Sequence, residues 1–216
     1  MNATSRMQRL LAPVLSRQPD VTVAKGWLVV LPVRHFLRGV WLQEYRDGTS
    51  APLWGIRNLW AYGVEPEIDG FMRPTFLDRV RTEEAISRDL CKEVEAVTLP
   101  HLRSIDSMSR LYALTMDQGY PDRTESLFYL ELAMGHFERA RILKEKYQAS
   151  WFEADDMFPG QDPADTARTR LLCRLLAEDD ITGIARSMHQ WEADAAGAFN
   201  VRRLWEPTPF PFEAAL

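Results

Sequence analysis

The segment Gly26–Tyr62, GWLVVLPVRHFLRGVWLQEYRDGTSAPLWGIRNLWAY, decides how this chain is read, because the sequence on either side of it is patterned mainly for helix. It holds four of the seven tryptophans: Trp27, Trp41, Trp54 and Trp60. Its clearest local signal is Asp47-Gly48, a pair that tolerates the positive φ of a tight hairpin turn, set between two β-rich runs. Before that turn, Val33–Tyr45 reads as a long strand with Gly39 as a bulge or bend, since a mid-strand glycine has no side chain to pack. After it, Leu53–Trp60 reads as the returning strand, with Trp54, Ile56 and Trp60 on one face. Upstream, Val21–Leu31 contains a first extended run, WLVVL. This run does not alternate, which implies burial on both faces or under a helix, and Pro32 breaks or bulges it. The expectation is an antiparallel meander of about three strands, near the smallest sheet that holds once a helix covers it.

Working outward, Met7, Leu10, Leu11, Val14 and Leu15 form the apolar stripe of an N-terminal helix, capped by Thr4 or Ser5 and ended by Arg17-Gln-Pro-Asp20. Downstream, residues 63–81 are rich in Gly, Pro and charge and read as a connection. Thr82 caps the next helix, with Glu83 and Glu84 in its first turn, Ile86, Leu90, Val94 and Val97 as its stripe, and Pro100 as its end. Asp106 or Ser107 caps a third helix, which runs to about Met116. Two helical hairpins follow: Thr124–Met134 with Phe137–Ala149 around Gly135, and Ala164–Ala177 with Ile181–Ala195 around Asp179-Asp180. The tail from Trp205 is too rich in proline for helix and reads as an extended strap docked on the body, or as a peptide for a partner. The fold class is therefore α+β: a small antiparallel sheet near the N-terminus, packed with an N-terminal helix and a C-terminal multi-helix region. A single domain over residues 1–216 is expected, with 1–62 the helix and meander, 63–81 the connection, 82–204 helical and 205–216 the tail.

Composition narrows the function classes. With 46% hydrophobic and 26% charged residues, the chain has the makeup of a globular protein. A net charge of -5 and a pI near 5.5 remove the electrostatic case for nucleic acid and favour a protein partner, a basic one most easily. Cys91 and Cys173 both lie in apolar helical patterns and read as buried free thiols. The N-terminal residues have no signal-peptide pattern, and the longest apolar run, Trp27–Val33, is too short to span a bilayer, so no membrane association and a cytoplasmic location are expected.

The candidate chemistry is sparse. Alternation places Arg34 and Arg38 on one face of the long strand and His35 on the other; two arginines there would grip a carboxylate or phosphate, or simply protect the face from aggregation. Trp54 and Arg57 of the returning strand join Arg34, His35 and Arg38 as binding candidates. The acidic residues 153–156 and 162–165, with Asp155 and Asp156 as candidates, read as a solvated loop able to present negative charge to a basic partner. Cys91 with His101, His136 or His189 is a conceivable dyad, but sequence does not bring the pair together. No metal is expected in the absence of CxxC, HxxxH or HExxH spacing, and no cofactor in the absence of a glycine-rich phosphate loop. No catalytic residue is assigned.

The first hairpin is partly similar to a tetratricopeptide unit through Leu127, Gly135, Phe137 and Ala140, and departs from it at Lys144 and Tyr147. The order of residues 5–60 and 83–108, with Pro32, Arg34, His35, Leu37, Arg38 and Gly39 as its recognisable positions, resembles a group of uncharacterised bacterial proteins, some of them similar to immunity proteins of polymorphic toxin systems. That resemblance implies a cytoplasmic binding role and supplies no catalytic residue. The expected function is a non-enzymatic protein-binding module, of the immunity or inhibitor kind. The rival is a small hydrolase or transferase that holds an anionic substrate in a cleft between sheet and helices.

Overall fold

The computed structural model describes residues 3–44, 50–61, 68–71, 82–117, 124–157 and 163–215. These fall into two compact units, the first drawn from residues 1–58, 66–106 and 196–206 and the second from 59–65, 107–195 and 207–216. The chain is α+β, as its patterning predicts.

The first unit is built on a five-stranded antiparallel sheet in sequential order: β1 (Val21–Ala24), β2 (Trp27–Val30), β3 (Phe36–Glu44), β4 (Ser50–Asn58) and β5 (Ile68–Phe71). Two strands exceed the expected three. Val21–Leu31 is a hairpin of its own, turning at Lys25 (φ 47) and Gly26 (φ 85), the pair of positive φ angles that a two-residue hairpin turn requires. The second extra strand, β5, lies inside the stretch read as connection. The central pair is the long hairpin anticipated, in register from Phe36↔Asn58 to Glu44↔Ser50, while the Asp47-Gly48 turn lies outside the described residues. Leu28, Val29 and Val30 are all buried, as the absence of alternation in WLVVL implies.

Gly39 makes no bulge: it pairs in register with Val29 on one side and Gly55 on the other. Its role is steric, since a Cβ there would lie 2.4 Å from the Leu28 carbonyl oxygen and 3.0 Å from the Trp27 ring. The return strand ends at Asn58, so Trp60 belongs to no strand; it is fully buried in the second unit, edge-on to Phe210 at 5.9 Å.

Helices cover this sheet. The N-terminal stripe forms α1 (Ala3–Leu10) and α2 (Ala12–Arg17), split because Pro13 starts a new helix instead of continuing the old one. Met7, Leu10, Leu11 and Val14 are buried, and α1 packs on β1, β2 and β3. The helix α3 (Glu83–Glu93) starts as read, with Thr82 Oγ1 accepting from the Ala85 N–H at 3.3 Å. Its far end differs. A π turn over Val94–Thr98 adds a residue to the turn and shifts the helical phase, so that Thr98 is buried and Val97 is 54% exposed. Pro100 does not stop the helix: the widened turn delivers it to the start of α4 (Leu99–Ser104), where its missing N–H is harmless.

The second unit is helical: α5 (Met108–Asp117), α6 (Thr124–Met134), α7 (Phe137–Met157), α8 (Pro163–Ala177) and α9 (Ile181–Ala198), the last residues of α9 counting with the first unit. Ser107 caps α5 through its Oγ and the Arg110 N–H. Both hairpins are present, although α7 runs on past Ala149, so residues 153–157 are helix rather than loop. At the first hairpin Gly135 has φ 79, its N–H reaching Leu132 O and that of His136 reaching Glu131 O, both at 2.9 Å. This paired closure is what glycine after a helix permits. The second hairpin turns at Asp179 (φ 55), and Asp180 caps α9 by accepting from the Gly183 N–H at 2.8 Å.

The tail docks on the chain's own body. Glu206 donates its N–H to Val33 O at 2.8 Å in the first unit, and in the second Phe210 and Phe212 are buried around a 3-10 turn, Pro211–Ala215.

Gly39→Val drives a branched side chain into the β2 backbone, and we expect a loss of about 1–3 kcal/mol of stability. Gly197→Ala in α9, where an added Cβ meets nothing within 4 Å, is expected to gain up to about 1 kcal/mol. Chemical denaturation of the two variants, compared by midpoint, checks both signs.

Candidate functional site

The residues proposed from sequence do not converge. Arg34 precedes β3 and is exposed, its Nε 3.4 Å from the Glu206 carboxylate. His35 is buried. Arg38 is buried too, at 5% exposure, and its guanidinium is spent on backbone: Nη2 donates to Pro32 O at 3.1 Å, and Nη1 to Ile105 O at 3.1 Å and Leu102 O at 3.4 Å. The last two carbonyls close the C-terminal end of α4, where a cation is electrostatically favoured. Burial lowers the Arg38 pKa from its ordinary value, and the Asp106 charge opposes that shift. The expected two-arginine grip on an anion is replaced by one surface ion pair and one internal clamp, because regular alternation starts only at Phe36.

The β3–β4 register separates the remaining candidates. Trp54, opposite Val40, shares the Arg38 face and meets His101 edge-on at 4.6 Å. Arg57, opposite Leu37, lies on the other face with Trp41 and Trp27. There Trp27 and Trp41 are directly paired across β2 and β3, their rings stacked at 4.4 Å, and Trp27 meets Phe199 edge-on at 6.4 Å. Arg57 and Lys25 lie over the Phe199 ring at 5.0 and 5.5 Å, and Lys25 Nζ also donates to Ala198 O at 2.9 Å. Both tryptophans remain half-buried, which leaves a preorganised aromatic patch of the kind that anchors interfaces. Asp155 and Asp156 belong to α7, and their side chains lie outside the described residues.

A second constellation, in the second unit, escaped the sequence reading. Glu131 on α6 keeps a carboxylate only 4% exposed; it accepts from Tyr112 Oη at 2.9 Å and from His136 Nδ1 at 2.7 Å. A carboxylate accepts, so Nδ1 is the donor of this pair, and in the neutral ring that fixes Nε2 as the acceptor nitrogen. Arg139, 63% exposed, donates to Tyr112 Oη at 2.7 Å. Burial and the neighbouring Glu131 push the Tyr112 phenol pKa up. An oriented imidazole of this form can take a proton from a bound hydroxyl or water. Its signal was local: the turn at Gly135 folds His136 back over Glu131, so a Glu five residues before a His straddling a helix-ending glycine predicts the contact.

The thiols are inert by position. Cys91 is buried beside Ser87 and contacts Leu10 O at 3.4 Å, and burial raises its pKa; Cys173 is pushed up to about 11 for the same reason. His136 pairs with a carboxylate, as does His189, and His101 packs on Trp54, so none of these three is engaged with Cys91. Among the described residues no group of three or more His, Cys, Asp or Glu is placed to hold a metal ion, and no helix is long and apolar enough to cross a membrane. Comparison with protein-family models, curated proteins and solved structures finds no match to this chain.

The arginines should separate in a stability measurement. Arg38→Ala removes a buried guanidinium and leaves Ile105 O without its donor, and we expect a loss of about 2 kcal/mol or more. Arg34→Ala removes an exposed pair and should cost less than about 1 kcal/mol. Urea titration of each variant distinguishes them.

Proposed function

We propose that this chain is a non-enzymatic protein-binding module, and that its particular form is an immunity or inhibitor protein directed at a bacterial toxin. The observation that supports binding is the stacked Trp27–Trp41 pair, half-buried, directly cross-strand, and held by Phe199 with Arg57 and Lys25 on that ring. Tryptophan and arginine are the residues that most often carry interface energy, and a patch already packed by its own neighbours loses little side-chain freedom on binding. The resemblance of residues 5–60 and 83–108 supports the immunity form, and the net charge of -5 fits a basic partner in a cytoplasmic setting.

A second reading, a small hydrolase or transferase, is favoured by the Glu131–His136 dyad beside Tyr112 and the exposed Arg139. In that reading His136 is the base and Arg139 meets the anionic part of the substrate.

Affinity capture from the source cells with wild type, Trp41→Ala and His136→Ala, each first checked for native thermal unfolding, decides between the readings. The module predicts one stoichiometric protein partner, retained by wild type and His136→Ala and weakened about tenfold to a hundredfold by Trp41→Ala. Equal retention by Trp41→Ala would remove the patch from the account. A small anion that copurifies with wild type and is lost in His136→Ala would replace the module with an enzyme.

A further inference from the structure

A histidine meets the tail at the edge of an aromatic seat. Phe210 and Phe212 stack on one another at 5.8 Å, Phe210 meets Trp60, and Phe212 packs on Phe137 at 5.4 Å. Gly135 makes room for this, since a Cβ there would lie 2.7 Å from that of Phe212. At the edge of the seat stands His189 of α9, its ring 4.7 Å from Phe210. Its Nδ1 is 2.9 Å from Glu192 Oε2, and its Nε2 is 2.8 Å from Glu213 Oε2 of the tail. The same Glu213 oxygen accepts the Phe210 N–H at 2.6 Å, which shapes the 3-10 turn.

Both ring nitrogens therefore face carboxylate oxygens, and only an imidazolium donates to two acceptors at once. Glu192 is completely buried, where a carboxylate requires hydrogen-bonding partners, and His189 Nδ1 is one of them. From these contacts we propose that His189 is a pH-operated latch for the C-terminal strap: the protonated ring joins α9 to Glu213, and its deprotonation loosens residues 210–215 on their aromatic seat. The charged groups acting on the ring are Glu192 from its own helix and Glu213 from the tail, with the apolar face of Phe210 against it.

The direction follows from the charges. Hydrogen bonding to Glu192 and Glu213 raises the His189 pKa above its ordinary value and outweighs the lowering due to burial. A raised folded-state value means the latch contributes fully below about pH 6.5, the unfolded range for histidine, and is lost as pH rises through the folded value. Each unit of elevation is worth about tenfold in the closed-to-open ratio.

Hydrogen exchange of the full chain, followed by mass spectrometry between about pH 6 and pH 9 and corrected for intrinsic exchange, tests this across the histidine range. In wild type, protection of residues 210–215 should fall with rising pH while α6 stays protected. Glu213→Gln, a change at a partly exposed side chain, should start lower and show a smaller pH step; His189→Gln should be low and flat. Strap protection in wild type that does not change with pH, or His189→Gln protection equal to wild type at the acid end, overturns the latch. So does loss of α6 protection together with the strap, which would be global unfolding.

Discussion

The Arg38 guanidinium is the internal joint of the first unit. It leaves the centre of the sheet on β3 and reaches three carbonyls: Pro32 in the link before the strand, and Ile105 and Leu102 where α4 ends, the last of them shared with the Ile105 N–H. Orphan carbonyls at a buried helix end are costly, and one planar fork of donors answers several of them together. The order of elements around it follows. The residues between β2 and β3 must hold Pro32 O toward the guanidinium, and the π turn that admits Pro100 sets α4 on β2 with its C-terminal end within reach. The Arg38 face of the sheet, with Leu28, Val40 and Ile56 fully buried, is thereby committed to the core rather than to a ligand.

That commitment moves the binding account to the opposite face. Trp27 and Trp41 gather there with Arg57, and Gly39 and Gly55 between the strands leave the tryptophan rings to supply the apolar surface. The helical unit contributes different chemistry. Its polar side chains are organised around two buried carboxylates, Glu131 and Glu192, each answered by a histidine. The histidine at Glu131 meets its carboxylate through Nδ1; the one at Glu192 does the same and turns Nε2 to the tail. The same residue pair thus orients an imidazole in both places, and the difference is whether a second carboxylate stands opposite.

Much of this was legible where the signal is local. The Thr82 cap with two glutamates behind it, the Gly135 closure and the Asp179-Asp180 turn each rest on residues within one turn of each other. The long β3–β4 hairpin was readable for the same reason. The readings that failed depend on facts that sequence spacing hides. Within Val21–Leu31 only one extended run is read, yet Lys25-Gly26 sits at positive φ and divides it into two strands. A single inserted residue in the π turn rotated Val97 out and Thr98 in, against a stripe drawn at constant period. Strand alternation puts Arg34 and Arg38 on one face but starts only two residues after Arg34, and nothing near Arg38 in the chain announces that two of its three acceptors lie more than sixty residues away. The dyad at Glu131 needed the turn and the side chains to be read together.

The most direct test of the joint is nitrogen-15 NMR of the arginine side chains, with scalar couplings recorded across their hydrogen bonds. Arg38 should show separate, slowly exchanging Nη protons coupled to the carbonyl carbons of Pro32 and Ile105, distinct from the averaged, fast-exchanging signal of an exposed arginine such as Arg34. If the Arg38 protons exchange as fast as those of Arg34 and show no such coupling, the guanidinium is free in solution, and the organisation of the first unit described above is wrong.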